Sequence, residues 1–290
     1  MLVLSAIITG LGLGSMYGLL ALGFYVTYSV SNTVNFAQGS SMMLGAVMCY
    51  SFSVTWGWSI PASIVMALIT CGVWGAMVER FAVRPFAKKG SLAWLMSTVA
   101  AGIVLDNVVL FTYGKEPRML PSMMPDVSYI VGDLIIMPLQ IVIPFVGLLV
   151  GVGLHLYSRH TKQGRAMRAV VQNPDSARLV GINVSTIIVV SFVISTIFAG
   201  IAGILIAPLF NVSSDMGTLF GIKAFAVAIL GGITSAWGVI VAGILYGLIE
   251  ALITALLGSP YTHILTFTMV IVVLAIMPNG LFGRAQVKKV

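Results

Sequence analysis

Long apolar stretches and short polar interruptions alternate along the entire chain. The apolar runs occupy about 3–29, 37–55, 59–79, 92–112, 134–157, 184–208, 219–234, 236–257 and 262–282. A membrane-spanning helix needs roughly 20 predominantly apolar residues, so the pattern predicts nine candidate crossings. Two of the runs fit poorly as full spans. Ser31 to Ser41 places polar residues and glycine at membrane depth, and 219–234 is barely long enough. Broken or re-entrant helices explain both. Irregular backbone persists in a bilayer only where it is buried in protein or lines a water-filled cavity, so Asn35, Gln38, Gly39 and Ser40 become candidates for a solute path.

Charge sets the orientation of this pattern. Twelve of the fifteen Lys and Arg residues fall in three islands, at 80–89, 159–178 and 284–289. Short loops rich in basic residues stay on the cytoplasmic side. Placing all three islands inside puts the start of the chain outside and its end inside, with every intervening loop alternating without contradiction. Met1 to Tyr28 is uncharged, which is too long for a signal-peptide core and lacks a basic leader, so this segment is expected to stay in the mature protein. The outer loop Tyr113 to Asp133 carries Pro117, Pro121 and Pro125 with Lys115, Glu116, Arg118, Asp126 and Asp133, and suits either an extracytoplasmic docking surface or a solvated connector.

Composition agrees. The chain is 59% hydrophobic and 8% charged, with a mean hydropathy of +1.07, far from the values of soluble domains. The fold class expected is an all-α polytopic membrane protein of about 8–10 transmembrane helices with broken or re-entrant segments, forming one transmembrane domain over 1–290. Gly10, Gly12, Gly14 and Gly18 early in the chain and Gly231, Gly232, Gly238, Gly243 and Gly247 late in it favour close helix packing. A Gly-rich stretch in each half also fits a duplicated, inverted architecture. The net charge of +7 is confined to membrane-flanking loops, which excludes nucleic acid as the economical partner and points to anionic lipid headgroups. Cys49 and Cys71 fall in apolar runs and suggest neither a disulfide nor a metal site.

The cytoplasmic loop at about 158–183 has readable local chemistry. Asn173 is a good N-cap, Pro174 suits the first helical position, Asp175 complements the helix dipole, and Gly181 can take the left-handed conformation that ends a helix. A short helix from about 174 to 180 follows. Ala177, Leu179 and Val180 give it an apolar side that fits a partner's groove or folds back on the bundle.

No catalytic apparatus is expected. A phosphate loop, a hydrolytic triad, a Gly-x-Ser-x-Gly turn and a His-Glu-x-x-His motif are all absent, and no cofactor or metal follows. His155, His160 and His263 read as interfacial polar residues. The intramembrane carboxylates are Asp106 and Glu250, few for an ion relay. Either could meet the ammonium group of an amino acid in a water-filled cavity, although Asp106 beside Asn107 reads first as a cross-helix hydrogen-bonding group. Lys223 reads as a residue that snorkels to headgroups at the outer mouth.

In order along the chain stand Ala21-Leu22-Gly23, Asn35-Phe36-Ala37-Gln38-Gly39, Glu79-Arg80, Arg84-Pro85, Gly164-Arg165, Ala177 to Ile182, Lys223-Ala224-Phe225, Leu230-Gly231-Gly232-Ile233 and Met277 to Arg284. In this order and spacing the chain resembles the membrane-spanning permease subunits of ATP-driven importers for branched-chain amino acids. The resemblance implies a transporter subunit whose energy comes from two separate ATPase subunits. A homologous second permease would complete the channel, and an extracytoplasmic solute-binding protein would deliver cargo, in a bacterial or archaeal plasma membrane. It implies that Ala177 and Gly181 stand in the element that couples to the ATPase. Arg165, Arg168 and Asp175 would orient that element, and Ala177, Leu179 and Gly181 would make its close contact. Relatives commonly carry His and Glu where this chain has Gln38 and Ser40, which leaves other amino acids, urea or small organic acids open as solutes. The competing reading is a self-sufficient carrier or channel driven by an ion gradient through Asp106 or Glu250. A membrane scaffold is a third.

Overall fold

The computed structural model describes residues 2–87, 92–121, 129–131 and 134–283. The third basic island and Lys88, Lys89, Pro125, Asp126 and Asp133 lie outside the described residues. The helices run in the order α1 (Leu2–Ser31), α2 (Gln38–Tyr50), α3 (Ile60–Met77), α4 (Arg84–Ala87), α5 (Ala93–Tyr113), α6 (Pro138–His160), α7 (Lys162–Gln172), α8 (Pro174–Leu179), α9 (Val184–Ile206), α10 (Met216–Gly231), α11 (Ala236–Leu257) and α12 (Ser259–Ile276). A π-helical stretch prolongs α2 over Ser51–Thr55 and another prolongs α3 over Val78–Val83. Strands β1 (Tyr129–Val131) and β2 (Leu134–Ile136) pair as a small antiparallel hairpin outside the helical bundle's order.

The chain is an all-α polytopic membrane protein. Among the described residues, seven helices are long and apolar enough to cross a membrane, rather than the nine runs counted in the sequence. The two shortfalls are the two suspect segments: α2 has 13 residues before its π-helical end, and α10 has 16. At 1.5 Å per residue neither α-helix alone covers a hydrocarbon core of about 30 Å.

The core is built around α1, which packs against α6, α9, α10 and α11. Its closest neighbour is α11, and small residues make that approach possible. A Cβ on Gly14 would lie 2.7 Å from the Gly243 carbonyl and from Ile244 Cα, so the two backbones are nearly touching. In lipid this contact is a main source of association, since hydrocarbon competes equally well for apolar side chains. Gly10, Gly14 and Gly18 share this seam, whereas Gly12 faces the backbone of α6 at Gln140.

Helix α1 stops at Ser31 because Asn32 turns to a positive φ of 54°, which asparagine tolerates better than most residues. The chain then runs without helical pattern through buried Thr33, Val34 and Asn35 before α2 begins. Unpaired backbone there would be costly in an apolar environment, and amides at both ends of the break are met. Asn32 N donates to Tyr28 O at 2.8 Å, Phe36 N to Thr98 Oγ1 at 3.4 Å, and Ala37 N to Asn35 Oδ1 at 3.1 Å. The connection into α10 is likewise irregular, and it is tied to the outer loop by a bridge between Arg118 and Val212. Helices α2 and α10 cross in opposite directions. A Cβ on Gly39 would strike the Gly217 carbonyl and lie 2.9 Å from Gly221 Cα, and one on Gly217 would lie 3.1 Å from Met43 Cβ.

Candidate functional site

Where the first turns of α2 and α10 cross, they face α5 across a cavity of about 240 Å³. Drug-sized ligands occupy pockets of roughly 300–1,000 Å³, so this space suits a small solute. Ser40, Asp106 and Thr218 supply polar side chains, Phe24, Phe36 and Phe225 supply an aromatic wall, and Gly39, Gly102, Gly217 and Gly221 keep backbone rather than side chains at the surface. The rings are in contact, with Phe36 and Phe225 centroids 5.0 Å apart and Phe24 and Phe225 5.6 Å apart. Asp106 is the charged residue among those lining the cavity. Its Oδ1 is shielded and has no hydrogen-bond partner, while the Ser40 hydroxyl reaches the same carboxylate.

Three of the expected path residues therefore come together: Gly39, Ser40 and Asp106. The other three do not line this space, for different reasons. Gln38 is fully buried between α1 and α9, where its Nε2 donates to Ser195 O at 3.0 Å and its Oε1 accepts from Ser195 Oγ at 2.9 Å. Ser195 Oγ also reaches Gly23 O at 2.9 Å, so one node ties the start of α2 to both neighbouring helices. Asn35 is fully buried, and its Oδ1 caps the Ala37 amide. Both residues satisfy the broken backbone.

Glu250 lies elsewhere, paired with Lys223 at 2.5 Å between Nζ and Oε1. The expectation that Lys223 snorkels to headgroups is overturned: Lys223 is 3% exposed and Glu250 6%. A lone ammonium inside an apolar bundle is expensive, and a carboxylate on the adjacent helix is its remedy. The pair joins α10 to α11, and the Tyr17 ring of α1 lies 5.8 Å from the ammonium. No spacing rule connects residues 27 positions apart on two helices. The signal that could have exposed the pair was the isolation of Lys223 in an apolar run, with Glu250 one of only two intramembrane acids to meet it. The expected cross-helix role falls to Asp106 alone, whose carboxylate meets the Ser40 hydroxyl of α2. Asn107 Nδ2 instead bonds Ile103 O of its own helix at 2.8 Å.

At the opposite end of the helices, α7 and α8 form a polar elbow. The local reading of this segment holds: Asn173 Oδ1 accepts from Asp175 N and Ser176 N at 3.0 Å each, Pro174 opens α8, and Gly181 has φ +84°. Arg178 pairs with Asp175 at 2.8 Å on the exposed surface. Ala177 is turned into the chain's own core and is 2% exposed, so it is not available for contact with another subunit. Leu179 and Val180 are 90% and 76% exposed, and Gly181 has open space around it. Arg165 and Arg168 are exposed along α7. Beside the elbow is a wider cavity of about 540 Å³, walled by Arg84, Glu79, Arg178 and Gly181. There Glu79 is buried and holds Arg84 at 2.8 Å. Among the described residues no group of three or more His, Cys, Asp or Glu side chains could hold a metal.

Broken helices meeting at a small cavity inside a tightly packed bundle define a membrane permease component. The family model described as branched-chain amino acid transport system / permease component matches residues 6–274, and the chain belongs to that family. It is similar to the high-affinity branched-chain amino acid transport system permease protein LivH of Escherichia coli strain K12, with 33% identity over 99% of this chain and 97% of LivH. The corresponding permease protein BraD of Pseudomonas aeruginosa is 32% identical over 99% of this chain and 98% of BraD. A probable LivH of Methanocaldococcus jannaschii is 28% identical over 91% and 88%. Among solved structures, PsaBC from Streptococcus pneumoniae in complex with Fab has a TM-score of 0.50 at 8% identity, covering 92% of this chain and 90% of that one, a likeness of fold alone.

Proposed function

We propose that this chain forms part of the translocation path of an ATP-driven importer for branched-chain amino acids, with the path running through the cavity between α2, α5 and α10. ATP is hydrolysed by two separate subunits docked beneath the elbow. A homologous second permease completes the channel, and an extracytoplasmic binding protein delivers solute. The protein sits in a bacterial or archaeal plasma membrane with its N-terminus outside and its C-terminus inside.

One observation carries the coupling part of this reading. Helix α8 is capped at Asn173 and closed at Gly181, yet it presents Leu179 and Val180 to the surface beside basic Arg165, Arg168 and Arg178. A helix held this firmly has little reason to offer bare apolar side chains to water unless another protein covers them. Asp175 and the arginines set its orientation, and Leu179 with Gly181 makes the contact. The basic loops that flank it support the cytoplasmic placement.

Leu179→Glu tests the assignment, because the side chain touches nothing in this subunit that its loss would disturb. Solute uptake is expected to fall at least about tenfold, as burying an unpaired carboxylate in an interface costs several kcal/mol. Membrane insertion should be unchanged. Uptake at the unsubstituted rate would remove the elbow from the coupling role.

A further inference from the structure

The cavity has one sign of charge. Asp106 is the charged residue among its lining, and its carboxylate takes part in none of the three ion pairs found among the described residues. The one cation carried by α10, Lys223, is buried against Glu250. Asp215, at the start of α10, lies close enough to act on Asp106 and adds a second negative charge. Oδ1 of Asp106 is shielded with nothing bound to it, although the rest of the carboxylate is served by Ser40. Around this point the walls are aromatic and aliphatic, from Phe24, Phe36 and Phe225 together with Ile103 and Ile222.

We propose that this cavity selects its solute by a positively charged amino group, with Asp106 as that group's partner and the phenylalanine wall as the seat of an apolar side chain. The inference rests on the amino-acid permease reading and sharpens it. A carboxylate in a low-dielectric pocket repels an organic acid, and it gives a neutral amide such as urea no charge to meet. A small zwitterion with an aliphatic side chain satisfies both halves of the lining. Asp106 is thus a specificity-determining residue and not a packing residue.

Two measurements test it on the full chain expressed with its partner subunits. In a Cys49→Ala, Cys71→Ala background, Thr218→Cys places a thiol on the cavity wall. A cationic methanethiosulfonate carrying trimethylammonium should modify it at least about tenfold faster than an anionic one carrying sulfonate, after correction for their rates with a free thiol. Asp106→Asn should bring the two corrected rates within about twofold of each other. Leucine uptake by the assembled complex should fall at least about tenfold in Asp106→Asn and return in part in Asp106→Glu. A rate ratio that Asp106→Asn leaves unchanged overturns the proposal, and so does a lost ratio with leucine uptake intact. If the unsubstituted complex carries leucine, these failures concern Asp106 alone. If it carries no amino acid at all, the permease reading itself fails, whatever the reagents show.

Discussion

Replacing Lys223 by methionine should weaken the bundle strongly. The substitution keeps the length of the stem and removes the ammonium, leaving Glu250 buried at 6% exposure with its only charge partner gone. Its Oε2 already has no hydrogen-bond partner, so the carboxylate would keep only its contact with the Tyr17 hydroxyl. Breaking one side of a buried pair costs about 3–5 kcal/mol, whereas replacing both sides by apolar groups of similar volume is often close to neutral. The expected result is therefore a strongly non-additive cycle. Lys223→Met and Glu250→Leu each lose about 3 kcal/mol or more, and the double variant recovers at least about 1.5 kcal/mol of the summed loss. The assay is unfolding of the purified chain from mild detergent by added dodecyl sulfate, followed by helical circular dichroism. Polar contacts inside membrane bundles have averaged only about 0.6 kcal/mol, because the unfolded chain in detergent finds partners too. If the pair behaves that way, both singles stay within about 1 kcal/mol of the parent and the effects add, which would refute the reasoning from burial.

Two further outcomes follow from particular contacts. Gly243→Leu should destabilise the same unfolding transition by at least about 1–3 kcal/mol, because a Cβ there would lie 2.5 Å from both Gly18 Cα and Gly18 N, where only a backbone shift could relieve it. Asn173→Ala should lower protection of the α8 amides from hydrogen exchange by about fivefold, the equivalent of about 1 kcal/mol of lost capping, while global unfolding stays where it was.

What could be read from the sequence was what depends on near neighbours or on length. The α8 caps obey rules that span nine residues, and Asn173, Pro174 and Gly181 each take the place those rules give them. Ser31 to Ser41 was suspect for polar residues and glycine at membrane depth and 219–234 for its length, and α2 and α10 are short helices in the fold. What could not be read depends on which face of a helix meets which neighbour. Gln38 and Ser195 are 157 positions apart, and nothing local says that a glutamine at a broken helix will be spent on a serine of α9 rather than on a solute. Ala177 and Leu179 are two residues apart on one short helix, so one turns into the core and the other outward, a choice made by the packing of α8 on α7 and α9. Lys223 was misplaced because a single cation at membrane depth has two solutions, reaching the interface or finding an acid, and the second needs the antiparallel pairing of α10 and α11.

The central claim is that this chain conducts solute without an energy source of its own. Its most direct measurement is radiolabelled leucine uptake into proteoliposomes in two preparations. One holds the purified chain alone under an imposed proton or sodium gradient, and the other holds the chain with its second permease, both ATPase subunits, binding protein and ATP. Uptake is expected only in the second, and only while ATP is hydrolysed. Gradient-driven uptake by the chain alone would contradict it.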